Sequence, residues 1–167
     1  MTDVPRSDHT AALLAKLKQV RSCMFATTDS SGDIKSHPMT LEEVDGEDNF
    51  WFFTSDQTHL ARDIPAKPQV NLSFADPADS LYVSVSGRAS LVRDRAKIAE
   101  LWNPIVAAWF PAGQDDPHLT LVKVTTHGAE FWDSKSSKMV QLYKIAKAAL
   151  IGETPKAAAG EHGKVNL

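Results

Sequence analysis

Four consecutive aromatic residues, Phe50-Trp51-Phe52-Phe53, followed by the hydroxyls Thr54 and Ser55, constrain the fold of this chain more than any other stretch. Rings of this size suit a pleated strand that is covered on both faces, and they crowd the surface of a helix. Beyond Asp56 and Gln57, Thr58 stands where it can cap a helix, and Leu60, Ala61 and Ile64 recur at helical spacing. A strand that ends in hydroxyls just before a helix start can seat a phosphate, because free N–H groups and the positive end of the helix dipole favour an anion. Beside an aromatic wall, such a seat suits a flat ring system with a phosphate tail. An ordinary core strand followed by an ordinary capped helix explains the same residues more simply, so the rest of the chain has to decide.

Composition narrows the choice. The 167 residues predict one domain over 1–152, followed by a mobile tail over 153–167. A net charge of −3 gives no general attraction to nucleic acid or to anionic membrane, and no basic patch is concentrated in the sequence. No stretch reaches the length of a membrane span, and the polar start Met1 to Asp8 lacks the apolar core of a leader, so a cytoplasmic protein is expected. Cys23 is the sole cysteine, which excludes an intramolecular disulfide and a Cys-rich zinc site. Lying in Cys23-Met24-Phe25-Ala26, it reads as an inert core thiol.

Chemical motifs are sparse. The six histidines show no metal-ligand spacing, and no metal site is expected. There is no Gly-x-Ser-x-Gly elbow, no Gly-x-Gly-x-x-Gly and no phosphate-binding loop of the nucleotide hydrolases. The acidic pairs Glu42-Glu43 and Asp115-Asp116 read as solvated turn or edge residues. Trp51 and at least one of the tryptophans in the helical region read as packing residues.

Along the chain, Ser7 to Val20 predicts a surface helix, capped by Ser7 or Asp8, with an apolar stripe of Leu13, Leu14, Leu17 and Val20. Ser22–Thr28 and Ile34–Val44 form a hairpin around the turn Asp29 to Asp33, and Pro38 places the second strand at an edge, a bulge or a kink. Alternation over Val70–Ala75 and Leu81–Val92 predicts two more strands, the longer one bending at Gly87. From Asp94 the pattern is helical, ended or restarted by Pro104, with Ile105, Val106, Trp109 and Phe110 continuing it. Leu119–Thr126 and Ala129–Asp133 are extended, and Ser136 to Ile151 is helical. Hairpin-linked strands of this kind predict an antiparallel meander or barrel.

The order of these pieces is that of a known family. Ser36-His37-Pro38-Met39-Thr40, Phe52-Phe53-Thr54-Ser55, Val70-Asn71-Leu72-Ser73-Phe74, Tyr82 to Ala89, Leu101-Trp102, Trp109 to Gly113 and Ala129-Glu130-Phe131-Trp132-Asp133 follow one another at familiar spacing. The chain resembles the general stress protein 26 group of the pyridoxamine 5′-phosphate oxidase-like, FMN-binding split-barrel family. The resemblance implies a mainly β fold with flanking helices, a six-stranded antiparallel split β-barrel. It also implies a homodimer with two FMN molecules between the subunits. His37, Pro38, Met39 and Thr40 map to the strand along the isoalloxazine. Phe53, Thr54, Ser55, Thr58 and His59 map to the phosphate and ribityl seat. Trp132 maps to a residue that reaches the flavin from the other subunit, and Tyr82 to a strand position that faces the cofactor across the dimer.

Two departures bear on function. Relatives commonly carry Arg at the position of His37 and Lys at that of His59, and histidine is only partly cationic near neutral pH, so weaker or more pH-dependent FMN binding is expected. The basic group that holds the oxidase's substrate after the Trp is missing from Asp133-Ser134-Lys135-Ser136-Ser137-Lys138, so pyridoxamine-phosphate oxidase activity is not expected. The resemblance then implies an FMN-dependent oxidoreductase with a stress-related role, or a flavin-binding or storage module without turnover. Nothing singles out an axial ligand for a haem.

Overall fold

The structure, a computed structural model, describes residues 8–133 and 161–165. The elements are α1 (Asp8–Leu17), β1 (Ser22–Thr28), β2 (Ile34–Thr40), β3 (Glu43–Val44), β4 (Asn49–Ser55), α2 (His59–Asp63), β5 (Gln69–Asp76), β6 (Leu81–Val92), α3 (Arg95–Leu101), α4 (Pro104–Trp109), β7 (Leu119–Asp133) and β8 (Glu161–Val165). All strand pairings are antiparallel, in the order β2-β1-β5-β6-β7-β4-β3, with β8 added to β7. β1, β2, β4, β5, β6 and β7 carry the sheet, and β3 and β8 are short additions. This is a mainly β split barrel.

Chain connectivity forces the curl. β2 and β3 stand at opposite ends of the strand order, yet only Leu41 and Glu42 separate them. The Leu41 N–H donates to the Arg21 carbonyl beside β1 at 2.7 Å, and the Glu42 N–H donates to the Trp51 carbonyl on β4 at 2.9 Å. Successive residues thus bond opposite ends of the sheet, and Leu41 is buried in the core that they enclose. The predicted extended run Ile34–Val44 is therefore broken at a corner. Beyond Trp51, no strand pairs with the outer edge of β4 among the described residues, and none pairs with the outer edge of β2. The barrel is split along that seam, and Pro38 lies on an edge strand with no N–H to leave unpaired.

Strand alternation divides the aromatic run between two cores. Phe50 and Phe52 enter the barrel interior with Phe25, Phe74, Leu72, Val85 and Phe131, while α1 adds Leu13 and Leu17. Phe25 and Phe52 meet edge to face at 5.3 Å between centroids. Trp51 faces the other way, into a second cluster with Ile98, Leu119 and Leu121, against which Phe53, Trp102 and Phe110 pack. Four aromatics in a row require cover on both faces, and α3 with α4 supplies the second cover.

The long β6 bends where its glycine lies. Register runs Ser86↔Gly128 and then Gly87↔Thr126, which leaves His127 as an extra residue on β7. The two extended runs expected at 119–126 and 129–133 are one strand, continuous through this bulge. The helix expected over 136–151 lies outside the described residues, as does Ser7. Within the stretch expected to be a mobile tail, Glu161–Val165 pair with β7 as β8.

Two outcomes follow from this packing. A Cβ on Gly87 would come within 2.7 Å of both the Thr125 carbonyl oxygen and Val124 Cγ1. Gly87→Ala should therefore lower stability by about 1–3 kcal/mol, read from the urea midpoint. Burial pushes the Cys23 thiol up to about 12 from 9.0, so the folded state's preference for the neutral thiol is intact below about pH 9 and is lost as pH rises towards 12. Native protein should resist a thiol reagent at pH 8 and react on unfolding, and Cys23→Ala should lack that alkaline component of the stability loss.

Candidate functional site

A cavity of about 530 Å³ opens at the seam. His37, Pro38, Met39 and Thr40 of β2, with Ser22 of β1, make one wall. Phe53, Thr54 and Ser55 at the end of β4, with Thr58 and Leu60 of the following turn and helix, make the opposite wall. A third wall is the side of α4 bearing Ile105, Val106, Trp109 and Phe110, and Glu42 lies at the closure corner. The cavity is bounded by the two strand edges that the barrel leaves unpaired.

The β4–α2 wall is a hydroxyl turn. Thr58 caps α2 by accepting from the Ala61 N–H at 3.2 Å, and its own hydroxyl donates to the Ser55 carbonyl at 2.9 Å. Thr54 Oγ1 lies 3.3 Å from Thr58 Oγ1, which makes Thr54 the donor of that pair. Ser55 Oγ accepts from the Gln57 N–H at 3.3 Å, and its own proton has no acceptor among the described residues. Asp56 and His118 brace the turn from outside, through a contact of 2.9 Å from His118 Nδ1 to Asp56 Oδ1 and an Arg93–Asp56 ion pair. His118 Nδ1, assisted by Arg93, holds the Asp56 carboxyl below its ordinary value.

The α4 wall is anchored at its N-terminus and its far side. Asn103 Oδ1 accepts from the Ile105 and Val106 N–H groups at 3.0 and 3.1 Å, and Pro104 opens the helix, where a missing N–H costs nothing. Val106 is buried, and Phe110 lies 6.3 Å from the Phe53 ring. Asn103 Nδ2 donates to Glu42 Oε2 at 2.8 Å, and the Arg21 guanidinium donates to the same oxygen at 2.9 Å. The Glu42 side chain is only 5% exposed. Its reading as a solvated acidic residue is thus corrected: the corner turns it inward beneath Arg21 and Asn103, whereas Glu43 pairs with Lys97.

His37 supplies the most telling atom. It projects from β2 beside Phe25, and its Nε2 is buried without a hydrogen-bond partner among the described residues. An unsatisfied buried polar atom is costly and marks a place where a partner belongs.

Of the residues singled out in the sequence, His37, Pro38, Met39, Thr40, Phe53, Thr54, Ser55 and Thr58 come together here. His59, Tyr82 and Trp132 do not line this cavity. His59 is exposed at the first position of α2, from which Leu60 turns inward instead. Tyr82 and Trp132 are cross-strand partners on the outer face of β6 and β7, 47% and 43% exposed. Sequence reasoning missed Ser22, Glu42, Leu60 and the α4 wall as lining. Ile105 and Trp109, four residues apart beside a Pro, carried a readable signal of a shared helix face. Glu42 carried none.

Residues 8–156 match the family described as pyridoxamine 5′-phosphate oxidase like. The chain belongs to this family. A Jannaschia sp. CCS1 crystal structure given the provisional name general stress protein 26 is 31% identical, covers 96% of this chain and 99% of its own, and superimposes with a TM-score of 0.73. The general stress FMN/FAD binding protein of Xanthomonas citri is 32% identical over 75% of this chain and 89% of its own, with a TM-score of 0.66. The protein bli-3 of Neurospora crassa is 25% identical over 162 residues, 91% of this chain and 78% of its own length. Among the described residues, no helix is long and apolar enough to cross a membrane, and no group of three or more His, Cys, Asp or Glu could hold a metal ion.

The Asn103 clasp makes a specific stability pattern. Asn103→Ala should cost about 1–2 kcal/mol through the lost cap. Asn103→Asp retains a capping acceptor but sets a second carboxylate against Glu42. Its deficit at pH 7 should shrink at pH 5, as one acid takes up a proton, in urea titrations at the two pH values.

Proposed function

We propose that the protein is a cytoplasmic, homodimeric FMN-binding stress protein acting as a flavin-dependent oxidoreductase without pyridoxamine-phosphate oxidase activity. The observation that carries this reading is the seam cavity. It pairs the hydroxyls of Thr54, Ser55 and Thr58 and the His37 side chain with an apolar, partly aromatic wall, as a ring with a ribityl phosphate requires. The description of the Xanthomonas citri relative as FMN/FAD binding supports it.

The residues present fit the group. Ser55, with a proton to give, and Thr54 and Thr58 would hold the phosphate and ribityl, with His59 at the helix start. His37, Pro38, Met39 and Thr40 would line the ring and its polar edge, beside Phe53. FMN, when bound, supplies the electron transfer, and the chain orients it and excludes water. The dimer reading rests on the outer sheet face. Met24, Tyr82 and Trp132 are each 43% exposed or more, around a hydrogen-bonded cluster of Asn71, Ser73, Ser84 and Ser86. On this reading the partner presents Tyr82 and Trp132 to the flavin. A binding or storage module without turnover is favoured by one observation: among the described residues, His37 and Glu42 are the only acid–base side chains lining the cavity, and Glu42 is tied to Arg21 and Asn103.

Titration with FMN, followed by flavin fluorescence, tests the reading directly, and a protein that does not bind overturns it. Thr54→Ala with Thr58→Ala should weaken FMN about tenfold, at about 1 kcal/mol for each hydrogen bond beyond partial compensation. His59→Lys should tighten FMN but leave riboflavin unchanged, because only FMN brings a phosphate. Steady-state NAD(P)H oxidation by the loaded protein separates oxidoreductase from storage module. Sedimentation should give twice the monomer mass, and Tyr82→Asp should halve it.

A further inference from the structure

We propose that Trp109 stacks on the ring of the bound flavin, so that α4 of the same chain is a face of the isoalloxazine site. The inference rests on the flavin reading and goes beyond it in assigning a ring-binding residue outside the β2 strand and the partner's tryptophan. Tryptophan is ordinarily among the more buried side chains, yet Trp109 is 78% exposed. It belongs to neither hydrophobic cluster. Its helix is held without it, by Val106 and Phe110 on one side and by the Asn103 cap tied to Glu42 at the start. Ile105, four residues earlier and 57% exposed, lies on the same helix face, and both side chains line the cavity. A helix fixed this firmly, with an indole and an isoleucine turned to a cavity, offers an apolar platform to a flat ring. The hydroxyls of Thr54, Ser55 and Thr58, on a different wall, leave the polar tail its own place.

Because the indole is so exposed, its replacement leaves the core intact, and unchanged thermal unfolding checks this. Trp109→Ala should weaken both FMN and riboflavin by roughly 5- to 100-fold, the range of aromatic stacking on a planar base. Trp109→Phe keeps a ring and should bind within about threefold of wild type. Stacked indole quenches flavin emission, so FMN bound to Trp109→Phe should be brighter than FMN bound to wild type, and brighter than FMN bound to Trp132→Phe, in which the stacked Trp109 remains. Emission recovered by Trp132→Phe alone, or Trp109→Ala equal to wild type in affinity and emission, overturns the assignment while the flavin reading stands. Loss of the dimer in Trp109→Ala, with affinity per subunit unchanged, assigns the indole to a subunit contact and overturns it too. A wild-type protein that binds neither flavin overturns both.

Discussion

Two adjacent backbone N–H groups, those of Leu41 and Glu42, hold opposite ends of one sheet. Everything that gives this protein a site depends on that corner. With two residues between β2 and β3, the strand order cannot lie flat, so the sheet curls and encloses Phe25, Phe50 and Phe52. The same two residues are too few to zip the ends together along their length. Among the described residues, β4 beyond Trp51 and the outer side of β2 therefore have no strand partner, and the cavity occupies the gap between them. Closure and opening have one cause. The Glu42 carboxylate couples this corner to the third wall, because the oxygen that accepts from Arg21 also accepts from the asparagine that caps α4. A buried carboxylate is tolerated only when so partnered, and here the partnership fixes a helix against a barrel.

The aromatic run does a second job at the same place. Alternation sends Phe50 and Phe52 into the barrel and leaves Trp51 and Phe53 for α3 and α4. Phe53 meets Trp102 edge to face at 5.9 Å and Phe110 at 6.3 Å, so the strand that ends in the hydroxyl turn also carries the helices that roof it. Asp45 adds a pin from below, accepting from the Trp51 indole N–H at 2.9 Å. The hydroxyl wall and the apolar wall are thereby tied to one rigid strand, and their spacing is set by core packing rather than by loop geometry.

Local chemistry made much of this legible in the sequence. The Thr58 cap, the edge position of Pro38, the bend at Gly87 and the inert thiol of Cys23 each follow from a property of the residue and its immediate neighbours, and each stands in the structure. What the sequence hid was tertiary. Glu42 reads as a surface acid because nothing within a few residues reveals Asn103, which lies 61 positions away. The run from Ile34 to Val44 reads as one strand because the corner is made by pairing with Arg21 and Trp51, not by a turn residue. The β7 bulge was hidden for the same reason, since Gly128 resembles a break until its partner Ser86 is in place. Which of Trp102 and Trp109 packs stays open in the sequence, because helical periodicity cannot say which face of a short helix meets a core and which meets a cavity.

The charge around the cavity bears on the ligand it would hold. Among the described residues, no lysine or arginine lines it. Arg21, linked to the corner through Glu42, bonds that carboxylate and the Leu41 carbonyl, and Arg62 bonds the Gln57 carbonyl beside Thr58. A phosphate arriving at the hydroxyl wall would meet hydroxyl donors and an imidazole rather than a guanidinium or ammonium, and neutral donors hold an anion less strongly than charged ones. The apolar walls, by contrast, are generous: Pro38, Met39 and Phe53, with Leu60, Ile105 and Trp109, all face one volume. On the proposed flavin reading, binding at such a site would draw its free energy from the ring more than from the tail. The ring would then need a fixed platform, and the clasp from Glu42 through Asn103 to α4 holds that helix in place.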